Sequence, residues 1–184
     1  PRLQKIRFSN ARQGTAFGDA GNLYASGIYQ TNNGGHSWSA RSNQPSPGWI
    51  DADRTTDGFV TINKRGRLGH VRNGQYEPSV LLGGPAGQTD GVFQQLTMLN
   101  EKTGYAVGES GVIVRTTNSG LSWDALNVVD QHPELASVDW ATLAVAGNKI
   151  WVAGNPGSVL VSIDQQTNQV SVHRSPIESK INRI

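Results

Sequence analysis

The chain has no cysteine among its 184 residues, which excludes disulfides, thiolate metal sites and thiol catalysis but leaves the compartment undecided. It has no uninterrupted apolar run of about 18 residues, so no segment reads as a transmembrane helix. Net charge is also small. Sixteen Lys and Arg against 14 Asp and Glu give +2, which removes bulk electrostatics as an argument for nucleic acid and leaves only local patches. No window repeats apolar residues at the spacing of a long amphipathic helix. The chain begins PRLQKI, without a starting Met or a signal-like segment, and is expected to be a processed or excised piece.

What is present is glycine, 22 residues of it, against a hydrophobic content of 36%, a balance that fits short strands joined by tight turns. Residues 103–123, TGYAVGESGVIVRTTNSGLSW, show the pattern most fully: an apolar strand at 105–107, a Gly-rich turn at 108–111, a β-branched strand at 112–114, and a polar hairpin closed by Trp123. Gly21, Gly66, Gly111 and Gly157 recur at intervals of 45, 45 and 46 residues, each a few positions after a short apolar run. A period of this length with four short strands per unit predicts an all-β chain, a β-propeller of about four recognisable four-stranded blades. The repeats run at about 1–46, 47–91, 92–137 and 138–184, as a single propeller domain or a fragment of one. Rings of about six to eight blades are the more common, so the chain is expected to be part of a larger propeller.

The repeats differ in detail. Ten residues separate Gly21 from Thr31 but only five separate Gly111 from Thr116, which predicts a bulge or lengthened hairpin at 25–27, with a strand-like run over 23–29. In the second repeat Asn73-Gly74 predicts a two-residue hairpin pairing 68–71 with 76–81, and no closing tryptophan is present. The connection 128–137, with His132-Pro133, is expected on the surface. The fourth repeat turns at 154–157, and the tail 175–184 reads as an outer closing strand or the start of a further element.

The pattern Thr-x-Asn-x-Gly-x-x-Trp occurs twice at the same point of the repeat, as Thr31, Asn33, Gly35, Trp38 and as Thr116, Asn118, Gly120, Trp123. Hydroxyl and amide can bond turn backbone, Gly takes a conformation costly for other residues, and the indole packs back on the sheet. This pattern resembles the Asp-box, or BNR repeat, of sialidases, sortilin-type receptors and xyloglucan-degrading propellers. The longer phrases GYAVGESGVIVRTTNSGLSW and GTAFGDAG…YQTNNGGHSW look most like the Asp-box propellers of the photosystem II assembly and stability factor family and its bacterial relatives. Tyr105 stands where that family prefers Trp, and Asn33 and Asn118 where it prefers Asp. The resemblance implies a non-catalytic protein that helps assemble a membrane protein complex by binding its subunits. It also implies an exported, periplasmic or thylakoid-lumenal location. The matched positions are scaffold residues, so it carries over no site.

For chemistry, no catalytic residues, metal or cofactor are indicated. A sialidase needs an arginine cluster and a Tyr/Glu pair, and the Arg-Ile-Pro segment that usually accompanies its boxes is missing. Paired carboxylates for glycan hydrolysis are available from Asp51, Asp53, Asp57, Asp90, Glu109 and Asp139. A carbohydrate-binding or glycan-hydrolysing Asp-box propeller is therefore the alternative function. Trp49, Trp140 and Trp151 read as core residues rather than sugar platforms, and the histidines lack ligand spacing. The densest charge cluster is Lys64, Arg65, Arg67, His70 and Arg72 in the second repeat. If these converge they form a basic patch for a carboxylate-bearing protein partner or anionic headgroups, and otherwise a solvated hairpin edge. The cluster lacks interleaved aromatics, so no nucleic acid is expected.

Overall fold

Successive side chains of a strand point to opposite faces, so a blade placed between two others can bury apolar residues on both. The computed structural model describes residues 2–22, 24–42, 44–83, 91–156, 159–174 and 176. Blade 1 comprises β1 (Leu3–Phe8), β2 (Gly14–Gly18), β3 (Ile28–Thr31) and β4 (Ser39–Ala40), and blade 2 comprises β5 (Trp49–Thr55), β6 (Gly58–Asn63), β7 (Leu68–Arg72) and β8 (Gln75–Pro78). A short strand β9 (Val80–Leu82) precedes blade 3, which is β10 (Phe93–Met98), β11 (Gly104–Gly108), β12 (Ile113–Thr116) and β13 (Ser122–Ala125). After helix α1 (Val128–Gln131) and a 3₁₀ turn (Pro133–Ser137), blade 4 is β14 (Asp139–Ala146), β15 (Lys149–Asn155), β16 (Val159–Asp164) and β17 (Val170–Arg174).

Within each blade the four strands pair antiparallel in chain order, giving the all-β propeller architecture. Strands β1, β5, β10 and β14 neighbour one another in succession. Three apolar clusters fill the spaces between blades. Phe17, Ile28, Trp49, Ala52 and Val71 join blades 1 and 2; Val60, Ile62, Leu68, Phe93, Val114 and Trp123 join blades 2 and 3; Val107, Ile113, Trp140, Leu143, Ile150 and Val161 are among those joining blades 3 and 4.

Each inner strand breaks register once, between Leu3 and Lys5, Trp49 and Asp51, Phe93 and Gln95, and Trp140 and Thr142. These breaks bring the inner strand so near its neighbour that a Cβ on Gly18, Gly108 or Gly154 would sit 2.0–2.2 Å from a carbonyl oxygen at its start. Just beyond the break, side chains reach the next blade. Asp51 accepts from the Lys5 ammonium at 2.7 Å and from the Leu96 N–H at 3.0 Å. Asp53 accepts from Arg7 Nε at 2.9 Å and the Met98 N–H at 3.0 Å, and Gln95 Oε1 accepts from the Leu143 N–H at 2.9 Å.

The two Asp-boxes fold alike. Thr31 and Thr116 hydroxyls donate to Asn33 and Asn118 Oδ1 and accept from the Gly35 and Gly120 N–H groups. The Asn Oδ1 atoms accept from Ser37 and Ser122 N–H, while Nδ2 donates to the same serine's hydroxyl at 2.9 and 2.8 Å. In that last bond the serine hydroxyl accepts from the amide; toward an aspartate at the same position it would donate instead. Trp123 is fully buried against blade 2, whereas Trp38 is half-buried, edge-on to Phe8 with ring centroids 6.1 Å apart.

Three local expectations change. The run 23–29 does not form one strand: β3 starts at Ile28, and the extra residues make a lengthened hairpin with a Gly21–Tyr24 bridge, Leu23 lying outside the described residues. The Asn73-Gly74 hairpin forms, with φ of 50° and 79°, but its second strand ends at Pro78, and β9 crosses to pair parallel with β13 as a fifth strand of blade 3. The connection 128–137 is not merely superficial, because Val128 and Leu135 are fully buried in the cluster between blades 3 and 4. Gly157 and the tail, apart from 176, lie outside the described residues.

Asp51→Ala strips an acceptor from Lys5 and the Leu96 amide together and is expected to cost about 2–4 kcal/mol in urea unfolding. The more exposed Asp53 is expected to cost about 1–2 kcal/mol on the same substitution. Equal losses would show that burial does not set the cost. For the boxes, Trp123→Ala is expected to cost about 3–5 kcal/mol and Trp38→Ala clearly less. The reverse order would separate the motif's stability from the burial of its indole.

Candidate functional site

The turn after β6 is built by Asn63, whose Oδ1 accepts from the Arg65 and Arg67 N–H groups at 2.9 and 3.2 Å, and by Gly66 at a φ of +72°. This turn places both arginines on the lining of a cleft of about 480 Å³ between blade 2 and β9. Leu68, Phe93 and Trp123 give the cleft an apolar floor, while Asn63, Tyr76 and Ser79 add polar groups to its lining. Arg65 is exposed, with no side-chain hydrogen bond or ion pair among the described residues. Arg67 is half-buried and its Nη1 donates to the Gly91 carbonyl at 3.4 Å. Tyr76 donates its hydroxyl proton to the Leu68 carbonyl at 3.3 Å. Burial raises its phenol above the ordinary value of 10, against smaller lowering effects from the Asn63 amide and the Arg67 guanidinium.

The other three members of the basic cluster go elsewhere. Lys64 forms an ion pair with Asp19 of blade 1, whose carboxyl is held below its ordinary range chiefly by that hydrogen bond. His70 is buried, on the face of blade 2 that meets blade 3, with Nε2 2.9 Å from Glu77 Oε2. Arg72 pairs with Asp57 at 2.7 Å. The five residues therefore do not converge into one patch. Alternation along β7 and the turn at its start separate them, and only Arg65 and Arg67 share a cleft.

The carboxylates available for hydrolysis are committed to structure. Asp51 and Asp53 tie blades together, Asp57 holds Arg72, Asp139 accepts from the Ser110 N–H at 3.1 Å, and Glu109 lies 3.4 Å from the Gln94 amide. Asp90 lies outside the described residues. Trp49 and Trp140 are core residues, as read from the sequence, whereas Trp151 is half-buried beside His173 with ring centroids 5.0 Å apart. Among the described residues no group of three or more His, Asp or Glu is placed to hold a metal, and no helix is long and apolar enough to cross a membrane. The Tyr76 and Ser79 contributions to the cleft were not anticipated. The Asn73-Gly74 turn that folds Tyr76 back beside Arg67 is the signal that points to the first of them.

The family model of the photosynthesis system II assembly factor YCF48 matches residues 87–178, half of the chain. The solved structure of YCF48 bound to a D1 peptide is 18% identical, with a TM-score of 0.62 over 96% of this chain and 54% of that one. YCF48 from Cyanidioschyzon merolae is 16% identical, with a TM-score of 0.66 over 98% and 58%. AztD from Citrobacter koseri is 14% identical, with a TM-score of 0.64 over 99% and 49%. At these identities the likeness shows the fold. The chain spans little more than half the length of the two YCF48 structures. No curated protein matches it.

The raised phenol of Tyr76 makes a stability prediction. A group kept neutral by the fold contributes stability that is present below its unfolded value of 10 and lost as pH rises past it. Unfolding midpoints are expected to fall above pH 10, and Tyr76→Phe is expected to make that fall shallower. An unchanged slope would remove Tyr76 as a source.

Proposed function

The chain belongs to the family of the photosynthesis system II assembly factor YCF48, and from that membership we propose that it is a non-catalytic interaction propeller binding a segment of a membrane-complex subunit. The observation that carries the reading is Arg65, exposed and without a side-chain hydrogen bond or ion pair among the described residues, on the lining of a cleft with an apolar floor. Guanidinium groups bond carboxylates in two-point geometry, and the apolar floor beside them offers contact to the aliphatic part of an acidic side chain. The bound segment is therefore acidic, or presents a terminal carboxylate. YCF48 has been solved with a peptide, which supports a peptide as the form of the ligand. Lys64, His70 and Arg72 serve this site only indirectly, by bracing the blade that presents it.

The four blades form part of a larger ring in this reading. Support comes from blade 1, where Ile6 and Phe8 are 44% and 47% exposed and Trp38 is half-buried on the face turned away from blade 2. A further blade laid there covers all three. An exported, periplasmic or thylakoid-lumenal location belongs to the same proposal and rests on family membership. Carbohydrate binding has less support, because two of the three candidate tryptophans and the described candidate carboxylates are used by the fold.

Arg65 is exposed, so Arg65→Glu leaves the fold intact and tests the site directly. A fluorescein-labelled glutamate-rich peptide, followed by anisotropy, is expected to bind at least about tenfold more weakly to Arg65→Glu, with Arg65→Lys intermediate. Equal affinity in all three proteins would overturn the proposal.

A further inference from the structure

A second compartment adjoins the arginine cleft. It measures about 280 Å³, and the two share Leu81 and Gly91 on their linings. Its walls are mostly apolar: Val112, Val114 and Ala125 from β12 and β13 and the turns beside them, with Leu126 just before α1 and Val129 within it, and Ser110 and Asn127 as polar members. The inserted connection between blades 3 and 4 closes its far side through Val129 and Ala136, anchored by the fully buried Val128 and Leu135. Asp130, exposed on α1, is the one charged residue among the described residues on its lining.

We infer that this slot receives a bulky apolar side chain of the same partner segment whose acidic group lies at Arg65. The inference rests on reading the arginine cleft as the peptide site. Charge complementarity sets the direction in which the segment lies. Arg65 attracts carboxylates at one end, and Asp130 repels them at the other, so an acidic segment is seated with its charge in the cleft and its apolar residue under α1. The slot is slightly smaller than the ~300 Å³ at which ligand sites begin, a size for one or two side chains rather than a whole small molecule. It adds specificity that the arginines lack, because a carboxylate alone does not distinguish one acidic stretch from another.

The test uses short labelled peptides with a glutamate block and one Leu at successive positions beside it, together with an all-Ala counterpart. Ala136 is exposed on the rim, so Ala136→Trp fills the slot from outside the core, and Val129→Ser makes the wall polar without adding bulk. The best Leu peptide is expected to bind the wild type about tenfold more tightly than its Ala counterpart. Both variants are expected to erase that advantage while leaving the Ala peptide's affinity unchanged, and Arg65→Glu to weaken both peptides alike. Equal binding of Leu and Ala peptides, or an advantage that survives in both variants, overturns the slot even where Arg65→Glu still weakens binding and the cleft stands. Failure of the acidic peptides to bind, or indifference to Arg65→Glu, removes the cleft itself and the slot with it.

Discussion

Asp51 is the point at which one blade becomes answerable to its neighbours. A four-stranded sheet has two faces and little core of its own, so it is stable only if the next sheet is held against it in one register. Apolar packing supplies most of the energy but is tolerant of small slides. Asp51 removes that tolerance, because one buried carboxylate takes the Lys5 ammonium from blade 1 and the Leu96 amide from blade 3. A slide of either blade leaves a buried charge or N–H without its partner, which costs more than the packing gains. Asp53 repeats the arrangement one step along, and Gln95 repeats it toward Leu143 without charge.

These ties depend on the break in register that each inner strand makes near its start. An unbroken β-ladder leaves the outer edge of the inner strand's backbone unpaired, and just past the break residues 5, 51 and 95 reach the neighbouring blade. In three blades the strand opposite the break ends in a glycine, 18, 108 or 154, which meets a carbonyl at the inner strand's start too closely for a Cβ, while blade 2 has Asn63 at the same place. The turn glycines 21, 66 and 111 mark the period, and these strand-end glycines carry the constraint.

Legibility followed from whether a feature is local. Strands, the Asn73-Gly74 hairpin and both Asp-boxes could be read because their bonds close within a few residues, and the threonine and asparagine bonds of the two boxes match atom for atom. The departure of β9 could not, since Val80–Leu82 has the same apolar pattern whether it continues blade 2 or crosses to β13. Nor could the burial of Leu135, whose partners belong to strands on either side of it. The basic cluster shows the limit from the other side. Five basic residues within nine positions read as one patch, but Lys64 and Arg72 have acidic partners in a turn of blade 1 and in the hairpin joining β5 to β6, and only the three-dimensional neighbours divide them.

The cleft itself follows from a missing motif. In blade 3 the Asp-box returns Trp123 across the sheet, and a Cβ on Gly120 would lie 2.5 Å from Val60 of blade 2, so that box closes tightly on its neighbour. Blade 2 has no such box. Its outer hairpin ends at Pro78, and the chain, instead of folding back over its own sheet, passes Ser79 to lay β9 on the edge of blade 3. The space between β8 and β9 is left lined by Leu68, Phe93 and Trp123 below and by Arg65, Arg67 and Tyr76 at the sides. A repeat protein opens a cleft where one copy stops repeating: the box of blade 3 closes tightly on its neighbour, and the missing box of blade 2 leaves the space beside β9 open.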